Sequence, residues 1–154
     1  MRDSEWVDEL PSQEIFEEIF RISKNQIIWG GNYFGLPPTR GFICWDKDQH
    51  MPTMSACEYG WTSYDKPAKL YKCRSLDLNR KHPTQKPIAL MNFCLNYAKA
   101  TKDMKIFDPF LGSGTTALSC KSMGLDWWGC ELQQEYINVI ERRLTETQID
   151  LFGI

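Results

Sequence analysis

The order of elements in the C-terminal half constrains this chain most. An apolar segment, MKIFD (104–108), enters the glycine-rich DPFLGSGTT (108–116), and a short helical pattern follows that Gly124 ends. A second apolar segment, LDWWGCE (125–131), precedes the amphipathic QEYINVIERRL (134–144). This alternation of strand and helix predicts a parallel sheet in an α/β fold, with 104–108 as a buried strand.

The N-terminal half predicts one helix and two short strands. The segment 11–24 is amphipathic, with Ser12 in place to cap it, and apolar strands are predicted within 26–34 and 41–47. No periodicity is visible between 48 and 81, so this stretch predicts a functional loop region rather than core.

A further helix is predicted between the two halves, at HPTQKPIALMNFCLNYAKA (82–100). Thr84 is expected to cap it, and Pro87 is expected in its first turn, where proline is tolerated. The 154 residues are expected to form a single domain, since a chain of this length can bury one ordinary core.

Composition excludes several classes of function. No apolar run approaches the length of a membrane span. The six cysteines form no C-x-x-C pair and only two histidines are present, so zinc or another metal is not expected. Reduced, mostly buried thiols of a cytosolic protein are the expected state of these cysteines.

The net charge of −2 conceals an uneven distribution. Residues 1–20 hold one arginine and seven acids, whereas residues 65–86 hold seven lysines and arginines against two aspartates. A basic segment in a weakly acidic protein indicates one face for a polyanion, although a solvated charged loop explains the charge equally well.

The glycine loop limits the ligand that it can hold. A phosphate-binding P-loop needs a lysine where Thr115 stands, so that chemistry is excluded. A dinucleotide fingerprint accepts Ala117 in place of a third glycine, which leaves nucleotide binding open. Glu131 follows the next strand, where a carboxylate can accept hydrogen bonds from both ribose hydroxyls. The alternative is a tight strand-to-helix turn with an incidental surface glutamate.

Three motifs resemble one family of enzymes. DPFLGSGTT is similar to the S-adenosylmethionine motif of amino-group DNA methyltransferases, and HPTQKP (82–87) resembles the motif that precedes it in the β-class, phage-type order. GCELQQEYINVIERRL (129–144) is similar to the acidic strand end and the following helix. The resemblance implies a Rossmann-like methyltransferase fold with this permuted motif order.

The resemblance also implies the cofactor, S-adenosylmethionine, and the residues around it. Asp108 would steady the loop or meet the methionine amino group, Glu131 would take the ribose and Leu132 would lie against the adenine. The residues that would surround the cofactor are Thr84, Gln85, Lys86, Asp108, Phe110, Gly112, Ser113, Gly114, Thr115, Glu131 and Leu132.

The second motif of the family is missing. Members hold the target base with Asp-Pro-Pro-Tyr or a variant, which in the β-class order precedes everything seen here. The only Pro-Pro, in LPPT (36–39), lacks the polar and aromatic neighbours and is no substitute. Asn32 and Tyr33 could supply a polar–aromatic pair, but a structural turn at Gly30–Gly31 explains them better. The catalytic residues stay unknown, and the chain is expected to lack the central strand that bears them.

The resemblance assigns 48–81 to target recognition, with Trp61, Tyr64 and Tyr71 for stacking. Phosphate contacts are expected from Lys66, Lys69, Lys72, Arg74, Arg80 and Lys81.

The implied function is site-specific methylation of an exocyclic amine of double-stranded DNA in the cytoplasm, with adenine N6 favoured over cytosine N4. The implied partner is a second copy of the chain or a missing N-terminal fragment. The alternative is an inactive, split or truncated methyltransferase that acts as a cofactor- or DNA-binding module.

Overall fold

The computed structural model describes residues 10–49, 51–74 and 85–152. These residues form four α-helices and six β-strands, with a 3₁₀ turn at Gly31–Tyr33. The helices are α1 (Gln13–Ile22), α2 (Ile88–Ala98), α3 (Thr115–Met123) and α4 (Gln134–Phe152). The strands are β1 (Ile27–Trp29), β2 (Phe42–Asp46), β3 (Cys57–Thr62), β4 (Lys69–Lys72), β5 (Lys105–Asp108) and β6 (Asp126–Gly129). None of the helices in these ranges combines the length and apolarity needed to cross a bilayer.

The first sheet has four strands in the order β1-β3-β2-β4. Strand β3 runs antiparallel to both neighbours, and β4 is parallel to β2. The prediction of a loop at 48–81 is therefore wrong for β3 and β4. Trp61 is only 5% exposed and Thr62 is fully buried. The sequence of β3 hides this role because Gly60 and Thr62 interrupt any apolar alternation, and pairing on both sides comes from distant residues.

Helix α2 packs against both halves of the molecule. Its Leu90, Met91 and Cys94 form one core cluster with Ile43 and Trp45 of β2. On the C-terminal side of the helix, a second cluster joins it to the elements around the glycine loop, and its buried members are Leu95, Cys120 and Leu125. One helix thus fixes the four-stranded sheet beside the glycine-loop region.

The start of α2 differs from the prediction. The helix begins at Ile88, and Pro87 occupies the capping position with φ −62° and ψ 144°, outside the first turn. The predicted cap, Thr84, lies outside the described residues. The Pro87 carbonyl accepts the first backbone hydrogen bonds, from Leu90 and Met91. The helical conformation is disfavoured for a residue that precedes a proline, which keeps Lys86 out of the helix.

Strands β5 and β6 pair in parallel, as the element order predicts. Ile106 and Trp127 face the second core cluster. On the other face, Phe107 and Trp128 are register partners and are 43% and 50% exposed. The prediction of a buried strand at 104–108 is therefore wrong, because no described element covers the face that carries Phe107.

Candidate functional site

The glycine loop follows β5 through a tight turn that Asp108 closes. One carboxylate oxygen of Asp108 accepts a hydrogen bond from the Phe110 amide at 2.9 Å. Gly112 and Gly114 have φ angles of 52° and 79°, in the left-handed region where side chains are disfavoured. Asp108 thus steadies the turn that leads into the loop, and its alternative role at the methionine amino group stays a prediction.

Glu131 joins the loop to the start of α4. Its Oε2 accepts the Gly112 amide at 2.8 Å, and its Oε1 accepts the Gln133 amide at 2.9 Å. Each carboxylate oxygen has two lone pairs, so both oxygens retain acceptor capacity for a ligand. The structure therefore brings together the loop and the acid that the sequence singled out.

Backbone bonds continue the β5–β6 pairing into the loop. The Cys130 amide donates to the Asp108 carbonyl at 3.0 Å, and the Leu111 amide donates to the Cys130 carbonyl at 2.9 Å. Gly129 is required here, since a Cβ atom on it would come within 2.5 Å of the Leu111 side chain. These contacts hold the loop against β6, the strand that precedes Glu131.

Helix α4 supports the loop from behind. A Cβ atom on Gly114 would lie 2.8 Å from Ile140 of this helix. Arg143, one turn further, donates a hydrogen bond to the Ser113 carbonyl. The sequence did not identify Ile140 or Arg143 as neighbours of the loop. Its only indication of a contact was the amphipathic pattern of α4, which places Ile140 on the buried side.

Two large apolar side chains flank the loop at the surface. Phe110 is 54% exposed and Leu132 is 99% exposed. Ser113 and Thr115 are buried at the start of α3, and the Thr115 hydroxyl is buried with no hydrogen-bond partner in the part of the chain that the structure describes. The site thus offers backbone, a carboxylate and apolar walls, and the one cation described at the loop, Arg143, is bonded to the Ser113 carbonyl.

The first turn of α2 lies beside α3. Ser119 donates to the Ile88 carbonyl at 3.4 Å, and the Thr116 hydroxyl lies 3.8 Å from the Met91 sulfur. The predicted cofactor residues Gln85 and Lys86, both half-buried, precede this contact directly. Thr84 lies outside the described residues.

Lys86 has a partner that the sequence did not reveal. Its ammonium lies 3.4 Å from Glu58 Oε2, and Lys47 lies 2.7 Å from Glu58 Oε1. Burial raises the pKa of the Glu58 carboxyl, but the charges and hydrogen bonds of the two lysines outweigh it and leave the pKa below its ordinary value. No motif marks Glu58, which reaches this position through the pairing of β3.

The aromatic residues predicted to stack on DNA bases have structural contacts instead. Trp61 is buried, donates to the Pro37 carbonyl at 2.7 Å and packs edge-on against Phe20. Tyr71 stacks on Phe93 with ring centroids 4.4 Å apart, and Tyr64 packs edge-on against Tyr97. The expectation for Trp61 is wrong, because an indole in the core cannot receive a base.

The predicted phosphate-contacting residues are distributed over β4 and its flanks. Lys69 and Arg74 are exposed, and Lys72 pairs with Asp48 at 2.8 Å. Lys66 donates to the Tyr97 carbonyl at 2.7 Å and lies 4.5 Å from the centroid of the Tyr64 ring, so it has a structural role. Arg80 and Lys81 lie outside the described residues, and contact of these six residues with DNA stays a prediction.

Several known proteins are similar to this chain. Over 67 residues the chain is 39% identical to the type II methyltransferase M.HinfI of Haemophilus influenzae, a stretch that makes up 44% of this chain and 18% of that protein. The crystal structure of the M1.HpyAVI–SAM complex is similar with a TM-score of 0.51 and 30% identity, covering 66% of this chain and 60% of that one.

A third comparison extends the fold over more of the chain. The cytosine-N4-specific PvuII DNA methyltransferase matches 88% of this chain and 59% of its own, with a TM-score of 0.55 and 16% identity. The chain thus spans about 60% of the length of these solved structures. The family model for N6/N4 methyltransferases, described as DNA methylase, matches residues 10–142. The chain therefore belongs to the N6/N4 DNA methylase family.

Proposed function

We propose that this chain is the S-adenosylmethionine-binding part of a DNA methyltransferase that modifies an exocyclic amine of duplex DNA, with adenine N6 as the favoured target. The observation that carries the proposal is the glycine loop tied by its Gly112 amide to Glu131. M1.HpyAVI, a relative of known structure, is described as a complex with SAM.

The residues of the site suit that cofactor. S-adenosylmethionine has no phosphate, so the loop needs no lysine to bind it. The unused lone pairs of the Glu131 carboxylate accept hydrogen bonds from the ribose hydroxyls. The exposed side chains of Phe110 and Leu132 pack against the faces or edges of the adenine ring. Bound there, the cofactor supplies the methyl group, and the loop's contribution is to orient it toward the base.

The residues that hold the target base come, in this proposal, from polypeptide outside these 154 residues. The sequence contains no Asp-Pro-Pro-Tyr, and its single Pro-Pro belongs to a segment whose Pro37 carbonyl is bonded to Trp61. A base-holding residue must accept hydrogen bonds from the exocyclic amine so that the nitrogen lone pair attacks the methyl group. Nothing at Pro37–Pro38 offers such a side chain.

The exposed face of β5 and β6 is where we place that additional segment. Strands of parallel sheets are normally covered on both faces, yet Phe107 and Trp128 lie side by side in solvent. Strand β5 also has one edge without a partner among the described residues. The two solved relatives extend well beyond the part that this chain covers, so they have room for such a segment.

The DNA would approach the basic segment, and we place the protein in the cytoplasm, where DNA and S-adenosylmethionine are available together. Exposed Lys69 and Arg74 provide sequence-independent phosphate contacts. The region 48–81 keeps its proposed role in target recognition even though β3 and β4 belong to the sheet, since Lys69, Leu70 and Lys72 of β4 are exposed.

The test is transfer of labelled methyl from S-adenosylmethionine to duplex DNA, run on the chain alone and on the chain with a polypeptide that carries Asp-Pro-Pro-Tyr. We expect cofactor binding by the chain alone and methyl transfer only with the added polypeptide. Cofactor binding without transfer in any combination would favour the second candidate, an inactive cofactor- or DNA-binding module. Transfer by a self-associated chain alone would instead favour a homodimer.

A further inference from the structure

An ion-pair cluster lies at the end of the four-stranded sheet, on the side that α2 covers. Glu58 pairs in register with Trp45, so its side chain is on the same face as the buried indole. Its carboxylate lies between Lys47 at 2.7 Å and Lys86 at 3.4 Å. All three side chains are at least two-thirds buried, at 33%, 15% and 23% exposure for Glu58, Lys47 and Lys86.

Two tryptophans form the wall behind the cluster. Lys86 lies 5.7 Å from the Trp29 ring centroid and Lys47 lies 5.5 Å from that of Trp45. The two indoles meet edge-on at 6.3 Å, and Gly60 leaves space for the Trp29 ring, which a Cβ atom would approach to 3.1 Å. Ammonium groups over indole faces in a partly desolvated position are held more firmly than at the surface.

The cluster connects the sheet to the segment beside the glycine loop. Lys86 precedes Pro87 and α2, and Ile88 accepts the hydrogen bond from Ser119 of α3. The short stretch from Lys86 to Ile88 is therefore held at both ends, by the Glu58–Lys86 pair and by the bond from Ser119 of α3 to Ile88. The Glu58 carboxylate also neutralises the charge of Lys86, so this ammonium is not available as the principal ligand of an anion.

We propose that Glu58 is a positioning residue for the cofactor site: it anchors Lys86 to the sheet and thereby fixes residues 85–87 beside the glycine loop. Lys86 then acts as the anchor of this segment, and the backbone and Gln85 border the methionine end of the cofactor. This inference rests on the proposed S-adenosylmethionine site, and it adds a residue that none of the sequence motifs contains.

The test compares two ligands that share the nucleoside but differ at the amino-acid end. S-adenosylhomocysteine carries the amino-acid moiety, and methylthioadenosine lacks it. In isothermal titration of the chain, Glu58→Gln should weaken S-adenosylhomocysteine binding by roughly five- to fiftyfold, as loss of one partner of a charged pair predicts. Methylthioadenosine affinity should change by less than about twofold, because no contact of Glu131 or the loop is removed.

Lys86→Met removes the same pair from the other side and should have the same effect, with the double variant no weaker than either single one. Asp65→Asn, which breaks the exposed Arg40–Asp65 pair, is the matched control and should leave both affinities unchanged.

Equal loss of both ligands in the Glu58→Gln and Lys86→Met variants would mean a general structural role and overturn the proposal, as would unchanged binding of both. Failure of the unmodified chain to bind either ligand would instead defeat the proposed function on which the inference depends.

Discussion

Glu131 accepts the backbone amide of Gly112 at 2.8 Å, although the two residues are 19 positions apart. An incidental surface glutamate at a strand end would not be expected to form a hydrogen bond with the loop. The bond instead holds the loop and the carboxylate together before a ligand binds. The second carboxylate oxygen of Glu131 is fixed by the Gln133 amide. Pre-organisation of this kind lowers the entropy lost when a ligand binds.

Replacing Glu131 with alanine should weaken S-adenosylmethionine binding by about 1–3 kcal/mol, because a charged acceptor is lost from both the loop and the ribose. Equilibrium titration of the cofactor measures the effect. Glu135→Ala is the control, since it removes an exposed acid from the first turn of the same helix. Equal affinities for the Glu131 variant and the unmodified chain would remove Glu131 from the site.

Gly114→Ala should destabilise the fold by roughly 1–3 kcal/mol, the usual cost of a left-handed non-glycine residue in a crowded position. The φ of 79° and the approach of 2.8 Å to Ile140 both oppose a Cβ atom. Urea unfolding measures the change. Gly35→Ala is the matched control, because no atom lies within 4 Å of its added Cβ and no unusual φ occurs there. Similar midpoints for the two variants would contradict this account of the loop.

Local chemistry made much of the site predictable from sequence. Gly124 ends α3 in the left-handed conformation, as its place after a helical pattern predicts. The glycine loop likewise follows from a strand and a turn adjacent in the chain, and Glu131 from its place directly after the next strand. Short-range steric and hydrogen-bonding preferences suffice to define these features.

Features that depend on distant pairing were not predictable. Strand β3 is central only because β1 and β2 pair with it on opposite sides, and its own pattern does not alternate. The contact of Arg143 with Ser113 spans 30 residues, and the Glu58–Lys86 pair joins β3 to the segment before α2. Which face of β5 stays exposed likewise depends on what packs against it, which the strand's own residues do not determine.

The Glu58 cluster should make stability depend on pH in the acidic range. The folded-state pKa of Glu58 lies below its ordinary value of 4.5, so the pair contributes fully above about pH 5 and is lost as pH falls through the folded-state value. We expect Glu58→Gln to lower the free energy of unfolding by about 1 kcal/mol at pH 7 and by less at pH 3. Urea unfolding at both pH values tests this, and a difference that grows on acidification would have the wrong sign.

Truncation of the two neighbouring tryptophans of β6 should destabilise the fold by different amounts. Trp127 packs on the second core cluster, so Trp127→Ser should cost about 2 kcal/mol or more. Trp128→Ser, on the exposed face, should cost less than about 1 kcal/mol. Thermal unfolding of the two variants compares the faces directly. A large loss for Trp128→Ser would mean that this face is already covered in the isolated chain, against the proposed docking of a further segment.

The cysteines should separate into reactive and protected groups. Cys57 and Cys130 are exposed, Cys44 and Cys73 are half-buried, and Cys94 and Cys120 are buried, so the expectation of mostly buried thiols is wrong. Burial raises the pKa of Cys94 to about 12 and that of Cys120 to about 11, which keeps both as unreactive thiols.

Brief iodoacetamide treatment of the native chain at pH 8, followed by peptide mass analysis, should therefore modify Cys57 and Cys130 first. Cys94 and Cys120 should react only after unfolding in urea, which serves as the control for intrinsic reactivity. Rapid native labelling of Cys94 would show that α2 opens away from the four-stranded sheet, because that thiol lies in the cluster between them.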